Sequence, residues 1–206
     1  MNDPAPEFIH RFVRRSSARA LLLLHGTGGD ENDLLPFGRE LDPDAGLLSV
    51  RGRVLENGMP RFFRRRAEGV FDEEDVIRRA QELADFIVQA RENYALQDHK
   101  LLAVGYSNGA NIASAMLFLR PGILDGAALL RAMVSFTPNE SPNLQKAPIL
   151  IVEGTHDPIV PRENAKRLAH LFEQAGADVR LEFEEAGHNL TAKTIALVRS
   201  WLAEIK

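Results

Sequence analysis

The chain has no cysteine among its 206 residues. Disulfides, thiolate metal sites and a cysteine nucleophile are thereby excluded. Aromatic residues make up only 7% of the chain, so the three phenylalanines gathered at positions 62, 63 and 71 stand out. No apolar run is long enough to span a bilayer. The segment Met1-Asn2-Asp3-Pro4-Ala5-Pro6-Glu7 is polar and broken by proline, unlike a signal peptide, so a cytoplasmic protein is expected. Lys plus Arg is 25 and Asp plus Glu is 29, a net charge of −4. Such mild acidity gives no general attraction to nucleic acid or to an anionic membrane. There is no internal repeat. His25, His156, Asp157 and His188 lack metal-ligand spacing, so no metal is expected.

What is present is an alternation of apolar strands and amphipathic helices. Apolar runs predict strands over 8–13, at an edge, and over 20–24, 46–50, 101–105, 127–136, 148–153 and 179–183. Helical periodicity marks 32–41, 72–94, 161–175, 191–205 and a segment starting at 110. This pattern predicts an α/β fold with a mostly parallel central sheet and helices on both faces, in one domain over 1–206. Arg131 sits oddly inside the predicted 127–136 strand. Open α/β sheets place their sites at the carboxyl ends of the strands, where glycine-marked loops fall here.

One such loop is Gly105-Tyr106-Ser107-Asn108-Gly109, between a predicted strand and a predicted helix. Gly-x-Ser-x-Gly in that context resembles the nucleophile elbow of the α/β-hydrolase superfamily. A serine hydroxyl needs a base to remove its proton, and histidine titrates in the right range. A carboxylate then fixes the imidazole tautomer. The chain order Ser107, Asp157, His188 matches the superfamily's order, and each follows a predicted strand. His156 is the rival base but precedes the expected acid, and Asp125 is a weaker rival for the acid. In the superfamily a His-Gly-x-Gly loop after an early strand supplies one oxyanion-hole amide. The resemblance puts that amide on Thr27, within His25-Gly26-Thr27-Gly28-Gly29, and the second on Asn108. The alternative is a plain glycine turn capping a helix at Asn32 or Asp33, but the loop falls where the fold requires the oxyanion donor.

Between Asn57 and Asp72 the sequence is rich in turn formers yet apolar. Met59, Phe62, Phe63 and Phe71 are candidates to wall a substrate pocket, with packing onto the core as the alternative. Arg61, Arg64, Arg65 and Arg66 read as a solvated basic face, paired with the acidic run Asp72-Glu73-Glu74-Asp75.

Five stretches together resemble the bacterial carboxylesterase, phospholipase and acyl-protein-thioesterase family of α/β-hydrolases. They are Leu24 to Asp30, Met59 to Phe63, Gly105 to Ala110, Gly154 to Pro161 and Gly187-His188. The likeness covers nearly the whole chain. It implies a hydrolase without a lid domain or cofactor, acting on a small-molecule ester, and it allows a homodimer. It implies catalysis by Ser107, Asp157 and His188. Where family thioesterases tend to carry Met-Pro-Ser followed by Trp-Phe-Asp, this chain has Met59-Pro60-Arg61-Phe62-Phe63-Arg64. Cysteine-using dienelactone hydrolases are set aside as close functional models, because the nucleophile position holds serine. The expected activity is cleavage of a short-chain or aryl carboxylic ester. The alternatives are a thioesterase on acylated protein or coenzyme A, a non-catalytic small-molecule receptor, and, remotely, a metal-dependent oxygenase.

Overall fold

The computed structural model describes residues 7–205. Residues 1–6, read above as unlike a signal peptide, lie outside the described part. Seven strands form one sheet: β1 (His10–Val13), β2 (Arg19–Leu24), β3 (Gly46–Val50), β8 (Lys100–Tyr106), β9 (Gly126–Leu130), β10 (Pro148–Gly154) and β11 (Asp178–Glu184). Their order is β1-β3-β2-β8-β9-β10-β11. Only β1 runs antiparallel to its neighbour, and the other pairs are parallel.

The two-residue period of β2 explains the layering. Leu22 and Leu24 point into one core, and Leu21 and Leu23 into the other. On the first face pack α2 (Glu73–Asn93), α3 (Asn108–Leu119) and α4 (Arg162–Gln174), and on the second α1 (Leu35–Leu41) and α5 (Ala192–Glu204). A sheet apolar on both faces needs cover on both, which is the parallel α/β arrangement. Helix α3 is buried nearly all round, as expected of an element wedged between sheet and α2. Among the described residues no helix is long and apolar enough to cross a membrane, and no separate lid domain is found.

Most boundaries fall within a residue or two of the sequence reading. Three stretches differ. The strand over 127–136 ends at Leu130, where Arg131 takes φ 57° and turns the chain out of the sheet. Beyond it, the amides of Ala132, Met133 and Val134 donate to the side chains of Glu153, Asn111 and Asn164, replacing a strand ladder. The helix over 32–41 starts only at Leu35, because Asn32 and Asp33 belong to a turn and Pro36 opens the helix. No side chain caps it. The stretch read as a loop between Asn57 and Asp72 holds two hairpins. They are β4 (Val54–Glu56) with β5 (Met59–Arg61), and β6 (Arg65–Ala67) with β7 (Val70–Phe71).

Candidate active site

Ser107 stands between β8 and α3 with φ 52° and ψ −113°. An ordinary side chain on either flanking glycine could not fit. A Cβ on Gly105 would lie 2.6 Å from the Gly109 carbonyl oxygen, and one on Gly109 only 2.0 Å from that of Leu24. The strained turn is therefore locked by close backbone contact on both sides.

The loops after β10 and β11 bring Asp157 and His188 to this turn. His188 Nε2 lies 2.9 Å from Ser107 Oγ, and its Nδ1 lies 2.7 Å from Asp157 Oδ2. Asp157 is fully buried, and its other oxygen accepts from the amides of Ile159 (2.8 Å) and Val160 (3.1 Å). These bonds hold the carboxylate as an acceptor, so His188 Nδ1 carries the proton and Nε2 is free to take one from Ser107. The rivals are placed elsewhere. His156 is exposed and contacts Thr155. Asp125 accepts from the Leu101 amide, at the opposite end of β8 from Ser107. Among the described residues no three His, Cys, Asp or Glu side chains are grouped to hold a metal ion.

Thr27 and Asn108 face the same cleft. Among the described residues neither amide donates a hydrogen bond to protein. Three consecutive residues brace both positions. Pro60 accepts from the Gly28 amide (2.9 Å), Arg61 Nη1 donates to Thr27 Oγ1 (2.7 Å), and the Phe62 amide donates to Asn108 Oδ1 (2.7 Å). Behind the loop His25 is buried, which lowers its pKa, although its bond to Gly26 opposes that shift. It is therefore neutral, donating from Nδ1 to the Gly26 carbonyl and accepting the Gly52 amide at Nε2.

The cleft measures about 270 Å³. Phe71, Met133, Ile159 and Val160 contribute apolar wall, and Tyr106, Asn111, Arg61, Arg65 and Glu68 contribute polar and charged groups of both signs. Of the four side chains proposed as pocket wall, only Phe71 lines it. Phe62 and Phe63 are buried in the core, against His25 and Phe71 respectively, and Met59 is exposed beside the Gly28 turn. The core-packing alternative is therefore correct for the two phenylalanines. The basic run also divides. Arg64 is exposed and pairs with Asp72 and Asp75 as expected, but the Arg61 side chain is only 3% exposed. Arg61 is buried because Thr27, the Phe63 carbonyl and Glu56 give it partners. Burial, reinforced by Arg65, lowers its pKa, with Glu56 opposing. Tyr106, Ile159 and Val160 lie inside stretches that carried the family resemblance but were not read as pocket wall, and Met133 had no motif to mark it.

Glu153 lies at the end of β10 beneath this site, 1% exposed. One oxygen accepts from the Ala132 amide, and the other has no partner among the described residues. Burial pushes its pKa well above the ordinary value, with nearby Asp157 adding and the Ala132 amide and Arg131 opposing. The native state thus keeps a proton that the unfolded chain releases, so this group's stabilisation fades as pH rises above the ordinary carboxylate range. Glu153→Gln keeps the acceptor and removes the titration. Its melting temperature is expected to fall less than the wild type's between pH 5 and pH 8; parallel curves would contradict this.

Comparison with known proteins shows the family. The model of the dienelactone hydrolase family matches residues 63–198. The chain belongs to that family of α/β-hydrolases. The position expected from the sequence to hold the nucleophile carries Ser107, not the cysteine for which the cysteine-using members were set aside as functional models. The Bacillus subtilis (strain 168) protein named "Putative hydrolase MhqD" is 46% identical over 195 residues, 95% of this chain and 98% of that one. A crystal structure of the Bacillus cereus carboxylesterase matches with TM-score 0.93 and 44% identity, covering 96% of this chain and 94% of the other. That of a Mesorhizobium loti carboxylesterase matches with TM-score 0.91 and 33% identity, covering 96% and 95%.

Proposed function

We propose that this hydrolase cleaves small carboxylic esters through an acyl-enzyme on Ser107. The observation that carries the reading is the unbroken chain of contacts from Ser107 Oγ through His188 to buried Asp157. His188 Nε2 takes the hydroxyl proton as Ser107 Oγ bonds to the carbonyl carbon. The Thr27 and Asn108 amides stabilise the resulting oxyanion, each worth roughly 3 kcal/mol in such sites. His188 passes the proton to the departing alcohol as the ester C–O bond breaks. Water then adds to the acyl carbon, giving its proton to His188, and Ser107 leaves with that proton restored. The small cleft favours short acyl or aryl groups. Two of the solved relatives are named carboxylesterases, which supports the ester over other acyl substrates.

The test is incubation with a fluorophosphonate, read by intact mass and peptide mapping. One adduct is expected, on Ser107, and it is expected to vanish in His188→Ala. No adduct on folded protein would overturn the reading in favour of a receptor. Unlabelled enzyme is then given a panel of matched oxygen and thiol esters, including one with a free carboxylate, because Arg61 and Arg65 line the cleft beside Glu68. Faster turnover of the thiol esters would make it a thioesterase.

A further inference from the structure

We propose that Arg131 and Tyr106 are positioning residues that lock the base of the reaction to the nucleophile, by clamping the backbone around His188. The inference rests on His188 being the base in the proposed reaction.

His188 lies in the irregular stretch between β11 and α5. Both ring nitrogens are committed to Asp157 and Ser107, so the aim of the imidazole depends on the backbone that carries it. Three consecutive carbonyls there are held from outside. Arg131 Nε donates to Gly187 O (3.0 Å), Tyr106 Oη to His188 O (3.0 Å), and Arg131 Nη2 to Asn189 O (2.7 Å). Arg131 Nη1 donates to Val152 O (3.0 Å), which ties the guanidinium to β10. Its Nη2 also pairs with Glu184, whose carboxylate accepts from Thr191 Oγ1 and Thr194 Oγ1. The same guanidinium therefore reaches both ends of the loop and its middle.

The other end of the clamp is the nucleophile. Tyr106 directly precedes Ser107. The Ser107 amide donates to Leu130 O (2.8 Å), the residue before Arg131. Leu130-Arg131 thus holds the serine through its backbone and the histidine loop through its side chain. Arg131 is one of the few non-glycine residues with positive φ. That conformation costs energy for a residue with a Cβ, which points to a demand on where its side chain goes. The side chain is fully buried with Glu184. Buried ion pairs seldom add net stability over apolar residues of like size, so stability alone does not explain the pair. A planar fork with several donors can serve three carbonyls and a carboxylate at once, which a lysine ammonium cannot.

Three variants test this. Tyr106→Phe removes one hydrogen bond and keeps the ring. It is expected to lower kcat about fivefold to tenfold, with KM within about twofold and little change in melting temperature. Arg131→Met with Glu184→Gln avoids stranding a buried carboxylate. A roughly 100-fold fall in kcat is expected, since small misplacements of a reacting group cost about that much. Arg131→Lys is expected not to rescue. The measurements are steady-state kinetics on 4-nitrophenyl acetate and the rate of fluorophosphonate labelling, with near-ultraviolet circular dichroism reporting folding. A folded double variant that keeps more than half of wild-type kcat overturns the proposal. Should the double variant not fold, Tyr106→Phe decides, and unchanged kcat and labelling rate overturn it. If the wild type takes no label, the reading of His188 as base fails first and the clamp falls with it. A labelled wild type with variants labelled equally fast removes the clamp alone.

Discussion

Ser107→Ala is expected to yield a folded protein whose turnover of a 4-nitrophenyl ester falls by about four to six orders of magnitude. Removing a nucleophile that acts as a unit with its base has effects of this size, because the remaining members have nothing to activate. The residue left, some thousandfold above water, comes from the oxyanion amides and from binding. In the proposed reaction the oxyanion donors are the backbone amides of Thr27 and Asn108, which the substitution does not touch. Alanine keeps the Cβ, so it meets no new steric barrier at φ 52°. The hydroxyl it loses has one side-chain partner, His188. Stability is therefore expected to stay within about 0.5 kcal/mol of wild type, or to rise slightly, as when a strained functional group is removed. Steady-state kinetics and a thermal melt on one preparation check both halves. Activity above 1% of wild type in a folded Ser107→Ala protein would exclude Ser107 as the nucleophile.

The positions of Ser107, Asp157 and His188 were legible in the sequence because each follows a strand, buried in β8 and β10 and half-buried at the edge in β11. Runs such as Leu21 to Leu24 and Ile149 to Val152 have only one stable use, the middle of a parallel sheet. The glycines that end these runs mark the sheet's carboxyl edge, where the loops converge. What was hidden depends on partners far away in the chain. Residues 132–136 continue an apolar run, but the amides of Ala132, Met133 and Val134 are satisfied by Glu153, Asn111 and Asn164. No local pattern announces that. Arg61 and its phenylalanine neighbours exchanged their expected places for the same reason. Composition shows that the segment between Asn57 and Asp72 mixes arginine with phenylalanine, but not which side faces the cleft. Thr27 and Glu56 draw Arg61 inward, while the bond from the Phe62 amide to Asn108 turns that backbone to the elbow and leaves the ring in the core. The oddity of Arg131 was visible as a charge within an apolar run. Its partners at Gly187, Asn189 and Glu184 were not, because they lie more than fifty positions away.

Gly109→Ala is expected to damage fold and activity together. Gly109 is the second residue of α3, where that helix meets the end of β2. A Cβ there would stand 2.0 Å from Leu24 O, 2.4 Å from Leu24 C and 2.6 Å from His25 O. All three are backbone atoms of the strand end that carries the Thr27 loop, so no side-chain rotation can relieve the clash. The helix must move away from β2, or the strand end must bend. Overpacking of this kind costs about 3 kcal/mol or more when the obstacle cannot move. For a chain of this size that lowers the melting temperature by roughly 10 °C. The displacement also separates Asn108, at the start of α3, from Thr27, two residues past His25. In the proposed reaction both amides serve one oxyanion, so kcat is expected to fall by about 100-fold in the protein that still folds. Gly122→Ala isolates the contribution of backbone conformation. Gly122 has φ 85° and nothing within 4 Å of an added Cβ, so only conformational strain of about 1 kcal/mol applies there, with activity unchanged. Comparing the two variants separates close approach from left-handed backbone. If Gly109→Ala melts within 2 °C of Gly122→Ala and retains full kcat, the contact between α3 and the end of β2 does not set the spacing of the two amides.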